Sequence, residues 1–117
     1  MKQGLIRISL LALMISACGG GAELSDEAEI GSALVVSLGC VTCHGSADGI
    51  GPSWDGVWGT VRALSDGSTV VFDAEYVRAS ISKPEEQIVK GFDPVMPAFS
   101  LSDADLDSIV AFLEESS

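Results

Sequence analysis

Histidine is almost absent from this chain: His44 is the only one in 117 residues. Cysteine occurs three times, at Cys18, Cys40 and Cys43, and methionine three times, at Met1, Met14 and Met96. Such scarcity excludes whole classes of site. A structural zinc centre takes four protein ligands, mostly Cys and His, and no second Cys/His cluster is present to complete one. Peroxidase-type chemistry lacks a spare histidine. Basic residues are also few, six against 17 acidic ones, and aromatic residues make up 6%. After Cys18 only Arg62, Arg78, Lys83 and Lys90 face all the acids. That surface repels nucleic acid and anionic lipid and suits a basic partner; the alternative is that the acids serve solvation or an adaptation of the host to salt. A membrane-spanning helix is lacking too. The N-terminal apolar run, residues 8–15, has eight residues, far short of the roughly 20 a span needs.

That run, ISLLALMI, follows Lys2 and Arg7 and has the length of a signal-peptide core. It ends in ISAC, residues 15–18, which resembles a bacterial lipobox whose cysteine receives the lipid. The expected organisation is a lipoprotein signal peptide over 1–17, a flexible lipid-anchored tether over 18–26 that includes GGGA, and one folded domain over 27–117. An ordinary signal peptide followed by a free Cys18 is the alternative. Export follows from either. A content of 47% hydrophobic and 20% charged residues is that of a globular chain.

What is present is GCVTCHG, residues 39–45. Cys40 and Cys43 sit three apart and His44 follows directly. A thioredoxin-like CxxC opens a helix after a strand, but LSDEAEIGSALVVSL before Cys40 reads as a helix. C-x-x-C-H is the attachment pattern of c-type haem. Two thiols add across the porphyrin vinyl groups, and the adjacent histidine then lies over one face, where Nε2 can bind iron. Attachment takes place outside the cytoplasm, consistent with the export signal. A sixth iron ligand must come from elsewhere. Of the methionines only Met96 lies after the signal region, in DPVMPAFS between Pro94 and Pro97, which stiffen the backbone around it. Lys83 or Lys90 in its place, or a five-coordinate iron, are the alternatives.

Local signals give the frame. Ser25 is a candidate cap of a first helix whose apolar stripe is Ile30, Leu34 and Leu38, with Gly39 as its stop. VRALSDGSTVVF, residues 61–72, reads as a hairpin about Asp66-Gly67. Asp73 caps a helix through Tyr76, Val77 and Ile81. PEEQIVKG, residues 84–91, has proline early, acids next and a terminal glycine, which predicts one short helix. Ser102 caps a last helix with Leu106, Ile109, Val110 and Leu113 on one face. The Gly-rich stretch from Gly45 to Gly59, with Pro52, Trp54 and Trp58, is a loop able to wrap a porphyrin edge.

The sequence CVTCH, the downstream Gly51-Pro52, the single late Met96-Pro97 and the final amphipathic helix resemble monohaem class I cytochromes c. The nearest likeness is to the cytochrome c domain fused to subunit II of some bacterial haem–copper oxidases, through GCVTCH, DGIGPSWDG, DGSTVVFDAEY, SISKP, VKGF and VMPAF. It covers roughly Gly31 to Glu115. The resemblance implies an all-α, cytochrome c-like fold, with N- and C-terminal helices packed around one covalently bound haem c and a small β-hairpin insert. It makes Cys40 and Cys43 the thioether anchors, His44 the proximal ligand and Met96 the distal one. The Pro52 carbonyl would accept from His44 Nδ1–H, which orients the ring. Trp54 and Tyr76 would lie near the haem, and Arg62 would be a candidate partner of a propionate. Those oxidase subunits carry membrane helices and a copper-binding domain before the cytochrome; here a lipid tether would take their place. The implied function is a monomeric electron carrier rather than an enzyme, on the periplasmic or extracytoplasmic face, between a quinol-oxidising complex and a terminal oxidase. Two alternatives stand beside it: a haem sensor with a labile Met96, and a permanent haem subunit of a larger oxidoreductase.

Overall fold

The computed structural model describes residues 22–117. The signal-peptide and lipidation assignments, Cys18 included, lie outside these residues. Helix α1 spans Asp26–Ser37 and helix α4 spans Asp103–Glu115; between them lie α2 (Cys40–His44), β1 (Val61–Ala63), β2 (Thr69–Val71) and α3 (Ala74–Ser82). No helix among the described residues is long and apolar enough to cross a membrane.

Short polar side chains start the three longer helices. Ser25 accepts from Ala28 N–H, Asp73 from Tyr76 N–H and Ser102 from Asp105 N–H. Each satisfies one of the backbone donors a helix start leaves unpaired, worth about 1 kcal/mol. Ser25 and Asp26 thus form the start of α1.

The two terminal helices pack against each other, and small residues set how closely. The buried residues of α1 are Ala28, Gly31 and Val35. A Cβ on Gly31 would overlap the Ser108 carbonyl and lie 2.9 Å from Phe112 Cβ. The expected stripe is thus rotated: Leu34 and Leu38 pack at the core margin, while Ile30 is 55% exposed. The reason is that close backbone approach at Gly31, beside the buried Ala28, outweighs the larger side chain of Ile30. Ser25 locks the same pair of helices at their ends. Its N–H and Oγ–H donate to the two carboxylate oxygens of Glu115, each at 2.8 Å. The core consists of Val35, Val77, Ile109, Val110 and Leu113. An exposed Arg78–Asp107 ion pair ties α3 to α4.

The hairpin pairs Val61 with Val71, Arg62 with Val70 and Ala63 with Thr69. Asp66 accepts from Ser68 N–H and Oγ–H in its turn, and Gly67 there has φ +90°. Residues 84–91 do not form the predicted helix. Ser65 N–H donates to Ile88 O, Lys90 N–H donates to Ala63 O, and Leu64 bridges Val89. The backbone groups of residues 88–90 are taken by the hairpin edge, and that pairing overrides the local helix signals. The result is a mostly helical domain with a two-stranded sheet.

Candidate cofactor site

Gly39 places the cysteine motif. Its φ of +79° is a conformation glycine adopts without a Cβ penalty, and it turns the chain from α1 directly into α2. Helix α2 is the motif itself, a single turn. Cys40, Cys43 and His44 lie at positions i, i+3 and i+4, and so share one side of that turn. Both thiols are free and half-buried. Burial pushes the Cys40 thiol up, against an opposing backbone hydrogen bond, and Cys43 adds to the rise. A redox-active CxxC shows the reverse, a lowered nucleophilic thiol. Among the described residues no group of three or more His, Cys, Asp and Glu is arranged to hold a metal ion.

The histidine is held by the loop that follows. Its Nδ1 lies 2.8 Å from the Pro52 carbonyl oxygen. A carbonyl only accepts, so Nδ1 carries a proton, and in the neutral form of the ring the lone pair is on Nε2. That tautomer presents Nε2 as a metal ligand. The Trp54 indole stacks on the imidazole, with centroids 5.2 Å apart and planes 14° apart. Gly51 also meets the ring: a Cβ there would stand 2.6 Å from Cε1, 2.8 Å from Nδ1 and 3.0 Å from Nε2. The backbone closes this loop through Gly51 N–H to Cys43 O at 3.0 Å.

Cys40, Cys43 and His44 line a cavity of about 250 Å³, and Met96, with Pro94 and Pro97 beside it, lines the same cavity. Pro52, Trp54 and the buried Tyr76 line it as well. Native interiors hold few voids larger than a water molecule, so a space of this size in a small core is a binding cavity. Its walls are largely apolar, and the polar residues among them include Ser80, Glu85, Gln87 and Asp93. Ser80 Oγ and Gln87 Oε1 belong to two of these residues, and both are buried without a hydrogen-bond partner among the described residues. Buried polar atoms in native proteins are normally paired. A large flat apolar group with polar edges and a metal accepting one imidazole and one thioether fits this donor set. Haem is such a group.

The other sequence candidates fall away from the cavity. Arg62 lies on β1 and is not part of its wall. Neither Lys83 nor Lys90 lines it; Lys83 pairs with Glu86 at 3.5 Å. Trp58 packs edge-on against Phe72, with centroids 5.9 Å apart. Ser80 and Gln87 were not singled out from the sequence. Ser80 stands four residues after Tyr76 on α3, a spacing that puts both on one helix face, and that is the only signal for it. No comparable signal marks Gln87, because its placement comes from the pairing of residues 88–90 with the hairpin.

A CxxCH turn and a methionine on one apolar cavity, in a mostly helical domain, define a c-type cytochrome. The chain belongs to the family described as Cytochrome C oxidase, cbb3-type, subunit III, which matches residues 26–113. No curated protein matches it. Family membership carries haem binding and electron transfer with it: the domain is a haem-based electron carrier of the cytochrome c type.

Proposed function

We propose that this protein is an extracytoplasmic, lipid-anchored, monohaem c-type cytochrome that passes single electrons between respiratory-chain proteins. The observation that supports this best is the state of His44. Its Nδ1 proton is committed to Pro52, and its free Nε2 belongs to a residue in the wall of the cavity that also contains Cys40, Cys43 and Met96. Haem c bound there supplies one-electron redox chemistry at iron.

The chain's own part is to hold and to shield. Cys40 and Cys43 would anchor the group through thioether bonds, and His44 and Met96 would be its axial ligands. The Pro52 carbonyl raises the basicity of the His44 ring through Nδ1–H. The apolar wall keeps water from the metal. His44 is the sole histidine; with Nδ1 held by Pro52 and Nε2 on the iron, no histidine would be left for general acid–base work. A lipid on Cys18 would raise the carrier's effective concentration near membrane partners. The acid-rich surface suits basic docking faces, such as those of a quinol-oxidising complex and a terminal oxidase. The motif likeness to the cytochrome domain of oxidase subunit II supports the same placing, with the domain starting near Ser25 and acting as a monomer.

A second reading, a permanent haem subunit of an oxidase, is favoured by the family description itself. Stable co-purification with a partner in detergent would support it over a free shuttle.

The deciding experiment is the absorption spectrum of protein made with a c-type haem maturation system, beside Met96→Ala. Covalent haem with a far-red methionine–iron band, lost in the variant, supports a six-coordinate carrier. Covalent haem without that band in the wild type would remove Met96 as ligand. No covalent haem would overturn the reading.

A further inference from the structure

We propose that Trp54 is a positioning residue for His44: its indole face sets the plane of the imidazole, and with it the orientation in which Nε2 meets bound iron. This rests on the haem reading above. The hydrogen bond from Nδ1 to Pro52 pins one atom of the ring. A ring attached at Cβ and pinned at Nδ1 can still rock about the line between those points. The stacked indole, 14° from parallel at 5.2 Å, resists that rocking, because tilting gives up face-to-face contact. Gly51 limits the ring further. Its backbone comes so close that even a methyl group would stand 2.6 Å from Cε1.

Three restraints thus come from four consecutive residues. Gly51 supplies contact, Pro52 an acceptor and Trp54 a flat face. Ser53 stiffens the segment by accepting from Asp55 N–H at 3.3 Å. The stretch GPSW is a clamp whose elements act on tautomer, position and plane separately. Ring plane matters for a haem ligand because it decides how the two iron orbitals that interact with the imidazole differ in energy. Groups behind a metal-bound histidine commonly fix its orientation in this way.

The test uses the haem-loaded full chain as wild type, Trp54→Leu and Trp54→Phe, each in the ferric state. Electron paramagnetic resonance and proton resonances of the haem methyl groups report the imidazole plane. In Trp54→Leu the largest g-value shifts and the methyl resonances take a new spread, while covalent haem and the methionine–iron band persist. Trp54→Phe keeps a flat face and returns most of the wild-type pattern. A loaded, six-coordinate Trp54→Leu with wild-type spectra overturns the proposal and leaves Trp54 as packing. If Trp54→Leu does not load, the ferrous wild type decides. Nuclear Overhauser contacts between indole and imidazole protons support the clamp, and their absence overturns it. A wild type without covalent haem overturns the haem reading and this proposal together, and the missing haem spectrum tells that result apart from the others.

Discussion

The crossing of α1 and α4 and the cavity beside it are built on opposite plans. At the crossing, backbone meets backbone at Gly31, and both donors of Ser25 find an oxygen of Glu115. Ala28 on α1 there is fully buried, at 0% exposure. Around the cavity two buried oxygens have no partner, and Ile50 and Val95 in its wall are 63% and 60% exposed. One region completes itself from its own sequence. The other is completed by something that is not polypeptide. In a domain this small, a prosthetic group contributes a large share of the buried apolar area.

The sharpest way to break this contrast is to prevent haem attachment with Cys40→Ser and Cys43→Ser together. Hydrogen exchange should then lose most of its protection in α3 and residues 84–99, and retain more in α1 and α4. The thermal transition should lose cooperativity. Equal loss across the chain would mean that the crossing depends on the cofactor as much as the cavity does. Leu113, like Val35, Val77 and Ile109, belongs to both regions, lying in the core and in the cavity wall. Leu113→Ala is expected to cost about 2–5 kcal/mol by the usual large-to-small penalty, measured by denaturant unfolding, and to alter the haem spectrum. Gly31→Ala tests the crossing alone. Its new Cβ would be forced on the Ser108 carbonyl, for a loss of about 1–3 kcal/mol from overpacking. The methionine–iron band should not move. A shifted band would show that the helix crossing and the cavity are mechanically coupled.

The two regions also differed in how far they could be read from sequence. Ser25, Asp73 and Ser102 were legible as caps because capping is chemistry between a side chain and a backbone three residues away. The Asp66-Gly67 turn was legible for the same local reason. The cavity's chemical residues stood out because a lone histidine next to a CxxC pattern has few other uses. What escaped were the consequences of distant packing. Apolarity points to Ile30 as a core residue, while Gly31 carries the contact. Residues 84–91 had every local sign of a helix, and the hairpin edge claimed their backbone instead. Ser80 and Gln87 look like ordinary polar residues until the fold buries their oxygens in the cavity wall.

The smallest effect comes from the end of the crossing. Hydrogen bonds from the Ser25 backbone and hydroxyl hold the Glu115 carboxyl below its usual value of 4.5. The folded state thus favours the carboxylate more than the unfolded state does. The contribution is fully present above the unfolded value and is lost as pH falls through the lower folded value. Asp66 is lowered too, by the Ser68 hydroxyl and amide, and its loss has the same sign in the same acidic window. Wild type and Glu115→Gln share Asp66, so their difference isolates Glu115. An amide at 115 keeps one acceptor oxygen where the carboxylate had two. The variant should therefore be slightly less stable at neutral pH and should converge on the wild type as pH drops below about 4.5. Because the carboxylate is exposed, solvent screens it and the gap stays small. Denaturant midpoints between pH 7 and pH 3 measure it. Parallel curves for the two proteins would mean that the Ser25–Glu115 contact adds nothing to the closure of the two helices, and that Gly31 alone holds the crossing.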